Sequence, residues 1–249
     1  MTYRRFVSMG VCWAVIAWPA TTLAWRGGPP PYRNGGIAAN GTSCRLCHGS
    51  TIGGGSVQIL GAPSNYVLNR IYDLSVRVAD NSKAGAGFEV SAESPTGVFL
   101  GTMIVSDPVH TDHPFGETGF VAHTGAGVDN AVANWIAMGR SATYNFQWRA
   151  PATASGPVTF YAAGNAINNN FSNSGDIIYL TNVTAQPTAC LAGDVNGSES
   201  VDGDDVGPFV RVLINGSIDA IELCAADLNT DGVVDMEDAK LLVNLLIGL

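Results

Sequence analysis

The chain has 249 residues, of which 13% are charged, and a formal net charge of −9. An acidic chain with 30 glycines and few charges excludes nucleic acid as a partner, because phosphates call for a basic surface, and fits exported β-structure with turn-rich loops. Asp and Glu concentrate after residue 193, which marks a second, acidic module behind a larger first one.

The first 24 residues, MTYRRFVSMGVCWAVIAWPATTLA, combine Arg4 and Arg5 with an apolar run and small residues before Trp25. That pattern is a secretory signal peptide cut after Ala24. A membrane anchor is the alternative, but the run is short, is broken by Pro19, and has no lipobox ending at Cys12. No later stretch approaches the roughly 20 apolar residues of a spanning helix. The expected product is secreted, extracellular or periplasmic, with Cys44, Cys47, Cys190 and Cys224 as its cysteines.

Residues 25–64 read as a Gly/Pro-rich arm, and 25–43 lack any periodicity. The arm carries Ser43-Cys44-Arg45-Leu46-Cys47-His48-Gly49. In C-x-x-C-H the two thiols add to the two vinyl groups of one porphyrin edge and the adjacent imidazole reaches the iron, so Cys44, Cys47 and His48 are candidate holders of one covalent haem c. Export supplies the compartment in which such attachment occurs. Three rivals stay open: a Cys44–Cys47 disulfide, a redox-active dithiol, and zinc. For the second axial position the candidates are His123, His110, His113, Met103 and Met138, with His123 at a strand end preferred.

From Asn65 onward the period becomes two. Tyr72, Leu74, Val76 and Val78 share one face of Ile71–Val78, and Asp73, Ser75 and Arg77 the other. Tyr144–Arg149 alternates likewise, and 87–92, 98–105, 119–123, 157–162 and 176–182 are further strand candidates, while 128–138 stays unassigned between helix and loop. Short strands between Gly, Pro and Asn turns predict a mainly β fold over residues 65–186, an antiparallel sandwich. The segments NYVLNRIYDLSVRV, GFEVSA, HTG, FQWRAP and GPVTFYAAGNAINNNFSNSGDIIY, over residues 40–184, resemble the reeler-like domain of bacterial secreted proteins, the choice-of-anchor V group. The resemblance implies an immunoglobulin-like sandwich with a CxxCH before its first strand and a shared His-Thr at residues 123–124. The acids of this region show no evident pairing of the kind a glycosidase needs.

Asp194-Val195-Asn196-Gly197-Ser198-Glu199-Ser200-Val201-Asp202-Gly203-Asp204-Asp205 recurs as Asp227–Asp238, 33 residues on. Asp194, Asn196, Ser198, Ser200, Asp202 and Asp205 in the first loop, and Asp227, Asn229, Asp231, Val233, Asp235 and Asp238 in the second, place oxygens at alternate positions, Ser200 and Val233 through their carbonyls. Such loops wrap a hard cation, so two Ca2+ are expected, the first held more weakly because Ser198 and Glu199 stand where the second loop has Asp231 and Gly232. Apolar helices are predicted over Val206–Ile214 and Ala239–Ile247, with Pro208 tolerable in a first turn. Duplicated loop-helix units over 187–249 resemble type I dockerins, which implies a cohesin-type protein as partner. Cys190 and Cys224 precede the two loops at similar distances, which symmetry turns into a disulfide.

The expected molecule is an exported haem-bearing electron-transfer or binding protein, not an enzyme, that meets a redox partner and docks through its C-terminus. The alternatives are a non-catalytic surface- or glycan-binding protein with CxxCH as a disulfide, and an accessory of polysaccharide breakdown.

Overall fold

The computed structural model describes residues 25–49, 52–153 and 155–248. Residues 1–24, read above as a signal peptide and including Cys12, lie outside the described residues. In chain order the elements are α1 (Arg45–His48), β1 (Ser56–Leu60), β2 (Asn65–Tyr66), β3 (Ile71–Ala79), β4 (Gly85–Glu93), β5 (Thr102–Ile104), β6 (Thr111–Asp112), β7 (Phe120–His123), α2 (Gly125–Asn134), β8 (Ser141–Arg149), β9 (Val158–Ile167), β10 (Ile177–Pro187), α3 (Val206–Asn215), α4 (Ala220–Ala226) and α5 (Met236–Ile247).

Among the described residues ten strands form two sheets, ordered β1-β3-β8-β5 and β2-β10-β9-β4-β7-β6, antiparallel except for the β2–β10 pair. The alternation predicted for β3 and β8 is what builds the core: Leu74, Val76, Val78, Tyr144, Phe146 and Trp148 are buried and meet Phe88, Val90 and Phe160 of the facing sheet. Trp148 stacks edge-on against Tyr66 and Phe160 at 5.6 and 4.9 Å between ring centres and donates its indole N–H to the Leu100 carbonyl at 2.9 Å.

The segment read as an arm differs from expectation. Val57 and Ile59 point inward from β1, which pairs with β3 and therefore belongs to the sandwich. Residues 32–39 lie over the outer face of β4, and α2 fills part of the stretch left unassigned. Every residue of β4 is buried, Glu89 and Glu93 included. The backbone N–H of Arg33 donates to Glu89 at 2.6 Å and that of Ala38 to Glu93 at 2.8 Å. Segment 98–105 contributes only the short β5, whereas β9 and β10 extend past their predicted ends because they pair with each other along their lengths.

Glu89 Oε2 finds no partner among the described residues, and burial pushes this carboxyl up to about 8, with the Arg33 amide and charge acting the other way. The neutral acid is therefore the favoured folded form. Its contribution to stability is complete below its ordinary value of 4.5 and is lost as pH rises through about 8, at about 1.4 kcal/mol per pH unit inside that window. Glu89→Gln should match the native chain in urea unfolding at pH 4 and exceed it by a few kcal/mol at pH 9, as about 1.4 kcal/mol per unit implies. Equal stability at both pH values contradicts this.

The C-terminal helices enclose their own core of Val195, Phe209, Val212, Leu223, Ala225, Ala226 and Leu242, which Val67 of the sandwich joins. The Cys190–Cys224 disulfide is formed, with Cα atoms 6.0 Å apart. Helix α4, capped by the Asp219 side chain on the Ile221 and Glu222 amides, lies in the interval between the two loops, for which no helix is predicted. Among the described residues no helix is long and apolar enough to cross a membrane.

Candidate functional site

Helix α1 is one turn, with Cys44 as its N-cap and Gly49, at φ 73°, closing it. This turn lays the CxxCH motif along one wall of a cleft of about 120 Å3, open at its mouth. Cys44, Cys47, His48 and His123 all line it, with Trp25, Phe88, Val128, Ile167 and Phe171 as its apolar walls and Arg26 and Arg33 among its cations. The structure thus brings together the four residues that the sequence offered for one cofactor.

Each is held differently. Cys44 is buried, its thiol donates to the Arg33 carbonyl at 3.4 Å, and burial pushes it up to about 12, aided by the Glu89 charge. Cys47 is exposed; both thiols are free. His48 Nδ1 stands 2.9 Å from Asp176 Oδ2, and the Asn165 side-chain nitrogen is 3.3 Å from His48 Nε2 and 3.4 Å from Nδ1.

His123 ends β7, where its ring takes the place of the next ladder partner of β4. Its Nδ1 lies 2.9 Å from the Phe88 amide nitrogen and 3.1 Å from the Phe88 carbonyl oxygen. The Phe88 peptide can therefore serve either tautomer, which lets Nε2 be bare. Burial holds this imidazole down at about 4, with a further lowering from the nearby His48, so it is neutral at pH 7. Gly87 makes the room: a Cβ there would stand 2.5 Å from His123 Cε1.

The other axial candidates lie elsewhere. His110 Nδ1 bonds Asp107 at 2.7 Å and lines a separate cleft with Met138, His113 Nδ1 bonds the Phe120 carbonyl at 2.7 Å, and Met103 is buried in the sandwich core. Sequence reasoning missed Asp176, Asn165, Arg26 and Arg33. Three buried polar atoms of this neighbourhood, Arg33 Nε, Asn165 Oδ1 and Asn169 Oδ1, have no partner among the described residues. Two thiols, two imidazoles, apolar walls and cations at the edge are the donor types that a covalently held porphyrin with carboxylate arms calls on.

The two acidic loops share one backbone scheme, with Asp231 alone also accepting from Val233 N–H and the Asn229 side-chain amide. Asp194 accepts from the Ser198 and Glu199 amides, as Asp227 does from those of Asp231 and Gly232. Asp205 accepts from Asn196 and Asp202, as Asp238 does from Asn229 and Asp235. These four carboxylates are buried. Asp227 is pushed above the usual carboxylate range by burial first and then by the charges of Asp238 and Asp231, a crowding that a divalent cation relieves. Among the described residues no group of three or more His, Cys, Asp or Glu converges for a metal; the loops offer carboxylates together with amide, hydroxyl and carbonyl oxygens, the set calcium takes.

Each loop places two residues at left-handed φ: Gly197 (73°) and Glu199 (68°) in the first, Thr230 (58°) and Gly232 (90°) in the second. The glycine that the first loop lacks at Glu199 it has at Gly197, so the loops differ less in backbone strain than their sequences suggest. Gly232 is also fixed by packing, since its Cβ would lie 2.6 Å from the Asn69 carbonyl carbon. Glu199→Gly removes a left-handed side chain worth about 1 kcal/mol, so calorimetry should show calcium binding at the first loop tightened about fivefold. Unchanged or weakened binding contradicts this.

The model of the dockerin type I domain matches residues 192–247. No curated protein matches the chain. Among solved structures, the Reelin-N domain of F-spondin is similar at 17% identity over 58% of this chain and 97% of that one, with a TM-score of 0.40. The human F-spondin reeler domain (fragment 1) is similar at 17% identity over 56% and 91%, with a TM-score of 0.38. AvmM, described as catalysing macrocyclization in alchivemycin A biosynthesis, is similar at 12% identity over 56% and 91%, with a TM-score of 0.33.

Proposed function

We propose that this chain is an exported protein that carries one haem c on Cys44 and Cys47, exchanges single electrons with a redox partner protein, and docks to a cohesin-type protein through a C-terminal module that binds two Ca2+. The observation that carries the first part is the convergence of His123 with the CxxCH turn, from residues 75 positions further along the chain, in one apolar cleft.

A haem held by Cys44, Cys47, His48 and His123 would supply reversible one-electron transfer. The chain's own residues do the rest. Cys44 and Cys47 provide the thiols for attachment, and the α1 turn sets their spacing. His48 and His123 provide the two imidazoles. Phe88 and Ile167 make the inner wall apolar, and Trp25 lines the mouth. Arg26 and Arg33 offer cations to the carboxylate arms; Arg26 also pairs with Asp129 and lies 5.6 Å over the Phe171 ring.

The docking part rests on the match over residues 192–247. In type I dockerins the partner meets the loop ends and the following helices. Here Met236, Val210 and Val243 are exposed at the corresponding places, and Arg211 is paired with Glu222 at 2.6 Å.

Maturation in a host competent for c-type cytochrome assembly tests the haem. The native chain should show a Soret band and a haem-staining band on a denaturing gel, and Cys44→Ser with Cys47→Ser should lose at least nine-tenths of both. A colourless native chain leaves a calcium-folded docking module on a sandwich that binds a surface or glycan.

A further inference from the structure

Asp176 lies just before β10, is 1% exposed, and has both oxygens committed: Oδ1 accepts the Asn168 N–H at 3.0 Å and Oδ2 faces His48 Nδ1 at 2.9 Å. The first bond ties the carboxylate to the turn between β9 and β10 and so fixes where the second points. His48, by contrast, ends a one-turn helix closed by Gly49, with the Cys47 carbonyl accepting from the Asn173 side chain at 2.7 Å. Nothing in that turn would orient its ring.

We infer that Asp176 is a positioning residue that holds His48 as the Nδ1–H tautomer with Nε2 bare toward the cleft, and that its charge sets the haem iron to a lower reduction potential than a neutral residue there would. This rests on the proposed function. A carboxylate that accepts Nδ1–H fixes the ring's orientation and makes Nε2 a stronger donor, which favours the ferric state. The Asn165 side-chain nitrogen stands nearly equally far from both ring nitrogens, 3.3 Å from Nε2 and 3.4 Å from Nδ1, and so lies on neither lone pair.

The test is the midpoint potential of haem-loaded native chain, Asp176→Asn, and Asp73→Asn as a remote exposed control. Asparagine removes the charge, and its one oxygen can still accept Nδ1–H with its NH2 turned to the Asn168 side. Asp176→Asn should shift the ferric-to-ferrous preference at least tenfold toward ferrous, a rise of about 59 mV for one electron, with haem content unchanged and the control at the native value. An Asp176→Asn midpoint equal to the native one overturns the inference while leaving the haem in place. If that variant does not mature, the reduced native protein decides by nuclear magnetic resonance: the His48 Nδ1–H should exchange slowly with solvent, and rapid exchange overturns the inference. A native chain that takes up no haem overturns the proposed function itself and this inference with it.

Discussion

Chelating calcium should unfold residues 190–248 while the sandwich stays folded. The module's core is small, and the Cys190–Cys224 disulfide, spanning 34 residues, contributes about 3 to 4 kcal/mol by restricting the unfolded chain. Two bound ions contribute more: at free calcium a thousand times Kd, each site adds about 4 kcal/mol. Without them Asp194, Asp205, Asp227 and Asp238 remain as buried carboxylates whose partners among the described residues are mostly backbone amides. Excess EGTA should therefore abolish most of the helical circular dichroism of α3, α4 and α5 and leave the near-ultraviolet signal of Trp148 and its aromatic neighbours. Asp205→Ala and Asp238→Ala should each remove one site. Full helicity in excess EGTA contradicts this.

In the chain carrying the proposed haem, replacing His123 with alanine should change the iron's spectrum without detaching the haem. Cys44 and Cys47 lie on α1 and do not depend on β7, so covalent attachment persists. The distal imidazole is lost, and none of His110, His113, Met103 or Met138 lines the same cleft. The absorption spectrum should pass from that of a six-coordinate low-spin iron to that of a high-spin iron with a vacant position, and added imidazole should restore the first. Removing the ring also leaves the Phe88 amide unpaired beside a hole at Gly87, a loss of about 2 to 4 kcal/mol in stability. A variant with the native spectrum would show that another group supplies the second ligand.

The local signals in the sequence were those whose cause is local. Alternation in β3 and β8 follows from one buried face. The paired loops follow from a cation that needs oxygens at alternate positions, and the same register brings Cys190 beside Cys224. Strand β1 had its signal in Val57 and Ile59, masked by Gly53, Gly54 and Gly55. The burial of Glu89 and Glu93 had no signal, because nothing in the sequence says that residues 32–39 return to cover that face of β4. The partners of His48 were invisible for the same reason: Asn165 and Asp176 lie more than a hundred residues away. Helix α4, at seven residues, is too short for a period to emerge.

Intact mass spectrometry of the chain matured with a cytochrome c assembly system tests the central claim most directly. The account predicts a chain starting at Trp25 whose mass exceeds that of the polypeptide by one haem, with the added mass on the peptide containing Cys44 and Cys47 and the Cys190–Cys224 bond two hydrogens lighter than its thiols. A mass equal to the bare polypeptide, with Cys44 and Cys47 open to alkylation, would contradict it.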